Sequence, residues 1–120
     1  MKLSGRRAAL TFGRRDHRVS KIMGKEPSMA LYEAILQLRD LDECYRFFQD
    51  LCTVPELRAM EQRFDVAVLL EQGMIYNDIL EKTGASSATI SRVNRSLHYG
   101  VDGYKDVFAR LPLGEKEKRE

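Results

Sequence analysis

The sequence predicts an all-α fold built as one helical domain, on three observations. Apolar residues recur at intervals of three and four from Met29 to Leu111, helix-start residues precede several of these runs, and no segment alternates as a half-buried strand does. With 43% apolar residues in 120, the chain holds material for one core, and eight glycines and three prolines are too few for a linker-rich protein.

Residues 1–28 stand apart from that domain. They carry Arg6, Arg7, Arg14, Arg15, Arg18, Lys21 and Lys25 among Gly5, Gly13, Gly24 and Pro27, without a packing pattern, so a basic disordered extension is expected. Residues 1–29 hold eight Lys/Arg against two Asp/Glu, a balance of +6, whereas residues 30–120 hold twelve against sixteen, a balance of −4. Three readings of the extension compete: an arm touching DNA phosphates, an organelle-import-like leader, and an inert segment ahead of a start at Met23 or Met29. The absence of a packing pattern favours an inert or weakly DNA-touching tail.

The domain proper is expected over residues 29–112. Leu31, Ala34, Ile35 and Leu38 mark a first helix, and Leu41, Cys44, Tyr45, Phe47, Phe48, Leu51 and Cys52 a second, capped by Asp40 or Asp42. Such aromatic density on two short helices exceeds what a small monomer covers, which implies a partner chain, although ordinary core is the simpler alternative. Thr53-Val-Pro-Glu56 has the pattern of a capping box with proline in the first turn, and it opens a long helix through Leu57, Met60, Phe64, Ala67, Val68 and Leu70 to Gly73. Val66 and Leu69 point elsewhere, so this helix is apolar on more than one side and reads as the central strut. Gly100 to Gly103 makes a turn, Asp102 can cap, and Tyr104, Val107, Phe108 and Leu111 form a last face before Pro112. Residues 113–120 read as a charged flexible tail.

The most informative stretch runs from Tyr76 to Leu97 and has the form of a helix-turn-helix. Ile79 and Leu80 face inward on its first helix, and Gly84 supplies the positive φ of a sharp exit. Ser86 can cap the second helix. At about 3.6 residues per turn, Ile90, Val93 and Leu97 fall in one stripe. Ala88, Ser91, Arg92 and Arg95 fall opposite, flanked by Ser87 and Thr89. Small residues let a backbone approach a groove closely, hydroxyls and free N–H groups bind phosphate, and guanidinium groups suit phosphate or guanine edges. The bland alternative is a pair of surface helices with a solvated basic face. Against it, Lys82, Arg92 and Arg95 are unopposed, since no acidic residue occurs from Lys82 to Val101.

Other function classes find little support. Cys44 and Cys52 are eight residues apart, which is not a metal-ligand spacing, and buried reduced thiols suit the cytoplasm. No apolar run approaches the length of a bilayer span, so no membrane partner is expected. His17 and His98 lack a cysteine partner, no phosphate-binding glycine loop occurs, and caps or solvated surface explain Asp40, Asp42 and Glu43 better than acid–base catalysis. The chain therefore does not read as an enzyme, and no cofactor or metal is implied.

Thr53 to Arg63, Leu70 to Gly73 and Gly84-Ala-Ser-Ser-Ala-Thr-Ile-Ser-Arg-Val-Asn-Arg-Ser-Leu97 resemble the tryptophan operon repressor superfamily. The YerC/YecD branch is the closer resemblance, through Glu43 to Thr53, Gly84-Ala85, Ala88 to Val93 and Leu97-His-Tyr-Gly100. It covers roughly residues 30–110. The resemblance implies about six helices, an intertwined homodimer formed largely by the helices before Gly73, and a recognition helix starting near Ser86. It places Ser87, Ala88, Thr89 and Ser91 toward DNA. It also aligns Arg63 and Arg92 with two arginines that hold an amino-acid corepressor, with Thr53 and Ser96 at further pocket positions; the alternative for the two arginines, favoured by Val93, is a structural or phosphate-facing role. Val93 departs from the pattern, standing where the repressor has a glycine beside the indole ring. Overpacking of this kind costs about 1–3 kcal/mol, which argues against tryptophan and leaves any small-molecule effector unidentified. Asn77 and Leu80 replace two basic residues of the first reading helix, so a target sequence does not carry over.

Together these readings describe a cytoplasmic homodimeric regulator of transcription, a repressor, that binds double-stranded DNA through Ser86, Ser87, Ala88, Thr89, Ser91, Arg92 and Arg95. The alternative is a helical module whose helix-turn-helix binds a protein partner.

Overall fold

Short-range signals place the helices, and the computed structural model describes residues 26–113. Six α-helices and no strand occur among them. The expected basic extension lies outside the described residues up to residue 25, as does the charged tail from residue 114. The chain divides after Leu51 into two units.

The first unit contains α1 (Met29–Ile35) and α2 (Leu41–Leu51). Helix α1 stops before Leu38, and Ser28 at its N-cap makes no side-chain bond. Of the two acidic candidates, Asp40 caps α2: its Oδ1 accepts the Glu43 N–H at 2.8 Å. The Arg39 guanidinium and backbone N–H both donate to the Glu43 carboxylate, at 3.3 and 2.8 Å. These bonds hold the Glu43 carboxyl below its ordinary range, and the Glu43 carboxylate raises the Arg39 guanidinium above its own. Neither helix buries a residue. Leu36 and Leu41 remain 77% and 85% exposed, and Phe47 and Phe48 meet edge to face at 5.7 Å.

The second unit is built around α3 (Val54–Glu71), followed by α4 (Tyr76–Thr83), α5 (Ser87–Tyr99) and α6 (Gly103–Phe108). The capping box at the start of α3 is formed on both sides. Thr53 Oγ1 accepts the Glu56 N–H at 3.2 Å, and the Glu56 carboxylate accepts the Thr53 N–H at 2.8 Å. The bond from the Thr53 backbone, and then that from its hydroxyl, lowers the Glu56 pKa. Helix α3 packs against both α4 and α5. Its Val66 and Ala67 are buried with Ile79, Ile90, Val93 and Leu97, while Phe64, Val68, Leu69 and Leu70 pack around that centre. This two-sided burial is the strut role read from the sequence. Phe64 also meets Phe108 at 5.9 Å and Tyr104 at 6.5 Å, which seats α6 on α3.

Helix α6 departs from its sequence reading at both ends. Asp102 occupies the N-cap without a side-chain bond and with φ 65°, so it acts through its backbone, with Asp106 N–H donating to its carbonyl. The helix ends at Phe108, and Leu111 lies beyond it, 42% exposed.

Candidate nucleic-acid interface

The turn between α4 and α5 is assembled from local hydrogen bonds. Gly84 ends α4 with φ 74°, in the left-handed region where a side chain is disfavoured, and its N–H donates to the Leu80 carbonyl. The Thr83 hydroxyl donates back to the Ile79 carbonyl at 2.7 Å and accepts the Ala85 N–H at 3.1 Å. Ala85 is buried, so the turn packs inward instead of looping into solvent. Ser86 then starts α5: its Oγ accepts the Thr89 N–H at 3.1 Å and also bonds Thr89 Oγ1 at 3.1 Å.

Helix α5 has two faces, as its spacing predicts. Ile90, Val93 and Leu97 are buried in the core. Ser86, Ser87, Ala88, Ser91, Arg92, Arg95 and Ser96 are exposed, with Thr89 half-buried at the boundary. Among the described residues the ion pairs are Arg39–Glu43, Arg46–Asp42 and Arg58–Glu61. None of them engages Arg63, Arg92 or Arg95, whose charges are left for a partner outside these pairs.

A cleft of about 310 Å³ lies between α3 and α5, lined by Ala59, Gln62, Arg63, Ala88, Thr89 and Arg92. It brings together Arg63 and Arg92, the two arginines that the resemblance aligned with corepressor contacts. The other three pocket positions are elsewhere. Thr53 is the α3 N-cap, Ser96 is exposed outside the cleft lining, and Val93 is 2% exposed within the core. Val93 is therefore part of the core and not of the cleft lining. Its i, i+3, i+7 relation to Ile90 and Leu97 directs the branched side chain inward, so its volume fills core and not the cleft wall.

Sequence reasoning missed Ala59 and Gln62. Their signal was available, because Ala59, Gln62 and Arg63 at i, i+3 and i+4 share one helical face. It was outweighed by the apolar pattern on the same helix. Gln62 also reaches across to α4, where its Nε2 donates to the Thr83 carbonyl at 3.2 Å.

Among the described residues no group of histidine, cysteine and carboxylate side chains could hold a metal ion, and no helix is long and apolar enough to cross a membrane. Cys44 and Cys52 are free thiols, each half-buried.

Comparison with known proteins accords with this architecture. The family described as Trp repressor protein matches residues 28–112. The uncharacterized protein YerC of Bacillus subtilis (strain 168) is 48% identical over 99 residues, covering 82% of this chain and 94% of YerC. A TrpR-like protein from Eubacterium eligens ATCC 27750 superposes with a TM-score of 0.69 at 58% identity, over 76% of this chain and 92% of its own. A candidate Trp repressor from Staphylococcus aureus superposes with a TM-score of 0.73 at 40% identity, over 83% and 99% of the two chains. The chain belongs to the Trp repressor family, in its YerC branch, a family of DNA-binding regulators and not of enzymes.

Proposed function

We propose that this protein is a sequence-specific, homodimeric repressor of transcription acting in the cytoplasm. The observation that carries the reading is the outer face of α5. Six exposed small or basic residues follow a left-handed glycine and a serine cap, on a helix whose opposite face is locked into the core. Arg92 and Arg95 supply phosphate or guanine contacts. Ser86, Ser87, Thr89 and Ser91 supply hydroxyls, and Ala88 allows close approach or a thymine-methyl contact.

The homodimer is supported by what α1 and α2 leave uncovered. Tyr32, Leu36, Leu41, Tyr45 and Leu51 are exposed on or beside two helices in which no residue is fully buried, and a second copy is the partner the family architecture implies. Two symmetric α5 helices would enter successive major grooves about 34–36 Å apart on a near-palindromic site. The Arg63/Arg92 cleft is the candidate effector pocket, suited to an anionic small molecule by two guanidinium groups that make no ion pair among the described residues.

The test is to sequence genomic fragments retained by the purified protein, with the Arg92→Ala/Arg95→Ala double variant as control. Enrichment of one near-palindrome that the double variant loses supports the reading. A folded dimer that enriches no sequence, with or without amino acids as candidate effectors, moves it to a protein-binding module.

A further inference from the structure

Thr83 is the last residue of α4, and the final carbonyls of an α-helix have no acceptor role within the helix. Here the Thr83 carbonyl accepts a hydrogen bond from the Gln62 side chain, 21 residues earlier on α3. The same residue's hydroxyl bonds the Ile79 carbonyl and the Ala85 N–H. Gln62 thus grips the backbone immediately before Gly84, at the residue whose side chain shapes the turn into α5. It also lines the cleft beside Arg63 and Arg92. Its Oε1 has no partner among the described residues, which leaves half of the carboxamide available to whatever enters that cleft.

We propose that Gln62 is a positioning residue for the helix-turn-helix: its hydrogen bond to Thr83 sets the turn that aims α5. This rests on the reading of α5 as the DNA-contacting helix. Gln62 itself touches no DNA in this scheme.

Gln62→Met keeps the length of the side chain and removes the donor. Gln62→Glu keeps its shape and places an acceptor against the Thr83 carbonyl. Backbone amide hydrogen exchange of the full-length protein is read at Gly84 and Ala85, with Val66 and Ile90 as core references. Affinity for the enriched DNA site is read in parallel.

Both variants are expected to lose about two- to tenfold in protection at Gly84 and Ala85, and a comparable factor in DNA affinity, with Val66 and Ile90 unchanged. Unchanged protection at the turn in both variants overturns the proposal. So does protection lost equally at Val66 and Ile90, which marks general destabilisation, or loss in Gln62→Met alone, which marks packing. Wild-type protein that selects no DNA sequence refutes the DNA reading and the aiming role with it, while the exchange data still decide whether the bond holds the turn.

Discussion

The Ser86 hydroxyl caps α5 by accepting the Thr89 backbone N–H, and the same oxygen bonds the Thr89 side-chain hydroxyl, both at 3.1 Å. One small residue therefore satisfies a helix-start donor and orients a neighbour that lines the cleft. Ser86→Ala removes both contacts. A loss of about 0.5–2 kcal/mol in unfolding free energy is expected, measured by urea denaturation. A variant as stable as wild type would mean that solvent satisfies the Thr89 N–H equally well.

Gly84 and Gly100 should respond to alanine for different reasons. At Gly84 a Cβ meets nothing within 4 Å, and only the φ of 74° opposes it, so Gly84→Ala should cost about 1 kcal/mol. At Gly100 a Cβ would come within 2.5 Å of the Ser96 carbonyl oxygen, a backbone atom that moves only if the end of α5 moves. Gly100→Ala should therefore perturb amide chemical shifts from Ser96 onward. Gly103→Ala, where nothing lies within 4 Å, serves as the neutral control.

Arg92 and Arg95 can be sorted by salt titration. A phosphate contact releases counterions, so removing one should reduce the slope of log K against log salt by about 0.9. Arg95→Ala is expected to reduce that slope and weaken all DNA sequences alike, with the fold intact by circular dichroism. A loss confined to one base position, at unchanged slope, would reassign Arg95 to a base edge. Unchanged affinity at low and moderate salt would remove Arg95 from the site.

The capping box of α3 gives stability an acid dependence. Glu56 has a lowered pKa because the Thr53 backbone N–H, and then its hydroxyl, favour the carboxylate. A carboxylate depressed in the folded state stabilises above its unfolded pKa, near about 4.3. That contribution disappears as pH falls through the folded value. Glu56→Gln cannot titrate, so the stability gap between wild type and variant should narrow from pH 6 toward about pH 3, read by denaturant titration at each pH. A gap that stays constant would show that the carboxylate charge adds nothing to the cap.

Much of the second unit was legible because its signals are local. Thr53 with Glu56 and Ser86 with Thr89 are three apart, and Gly84 requires only its own φ. Ile90, Val93 and Leu97 share a stripe through helical period alone. The first unit was less legible. Helix α1 closes at Ile35 despite an apolar pattern that continues to Leu38, since spacing does not say where an exposed helix frays.

The sequence by itself determined the helical class, the caps, the sharp turn and the two faces of α5, because hydrogen bonds and periodicity over three or four residues act wherever the helix lies. Only the tertiary structure decided which faces meet. It set Gln62 against the Thr83 carbonyl, gathered Arg63 and Arg92 around one cleft, and turned Val93 into the core. Those relations depend on how α3 crosses α4 and α5, and the crossing is fixed by the packing of Val66, Ala67, Ile79 and Ile90 together, which no local pattern specifies.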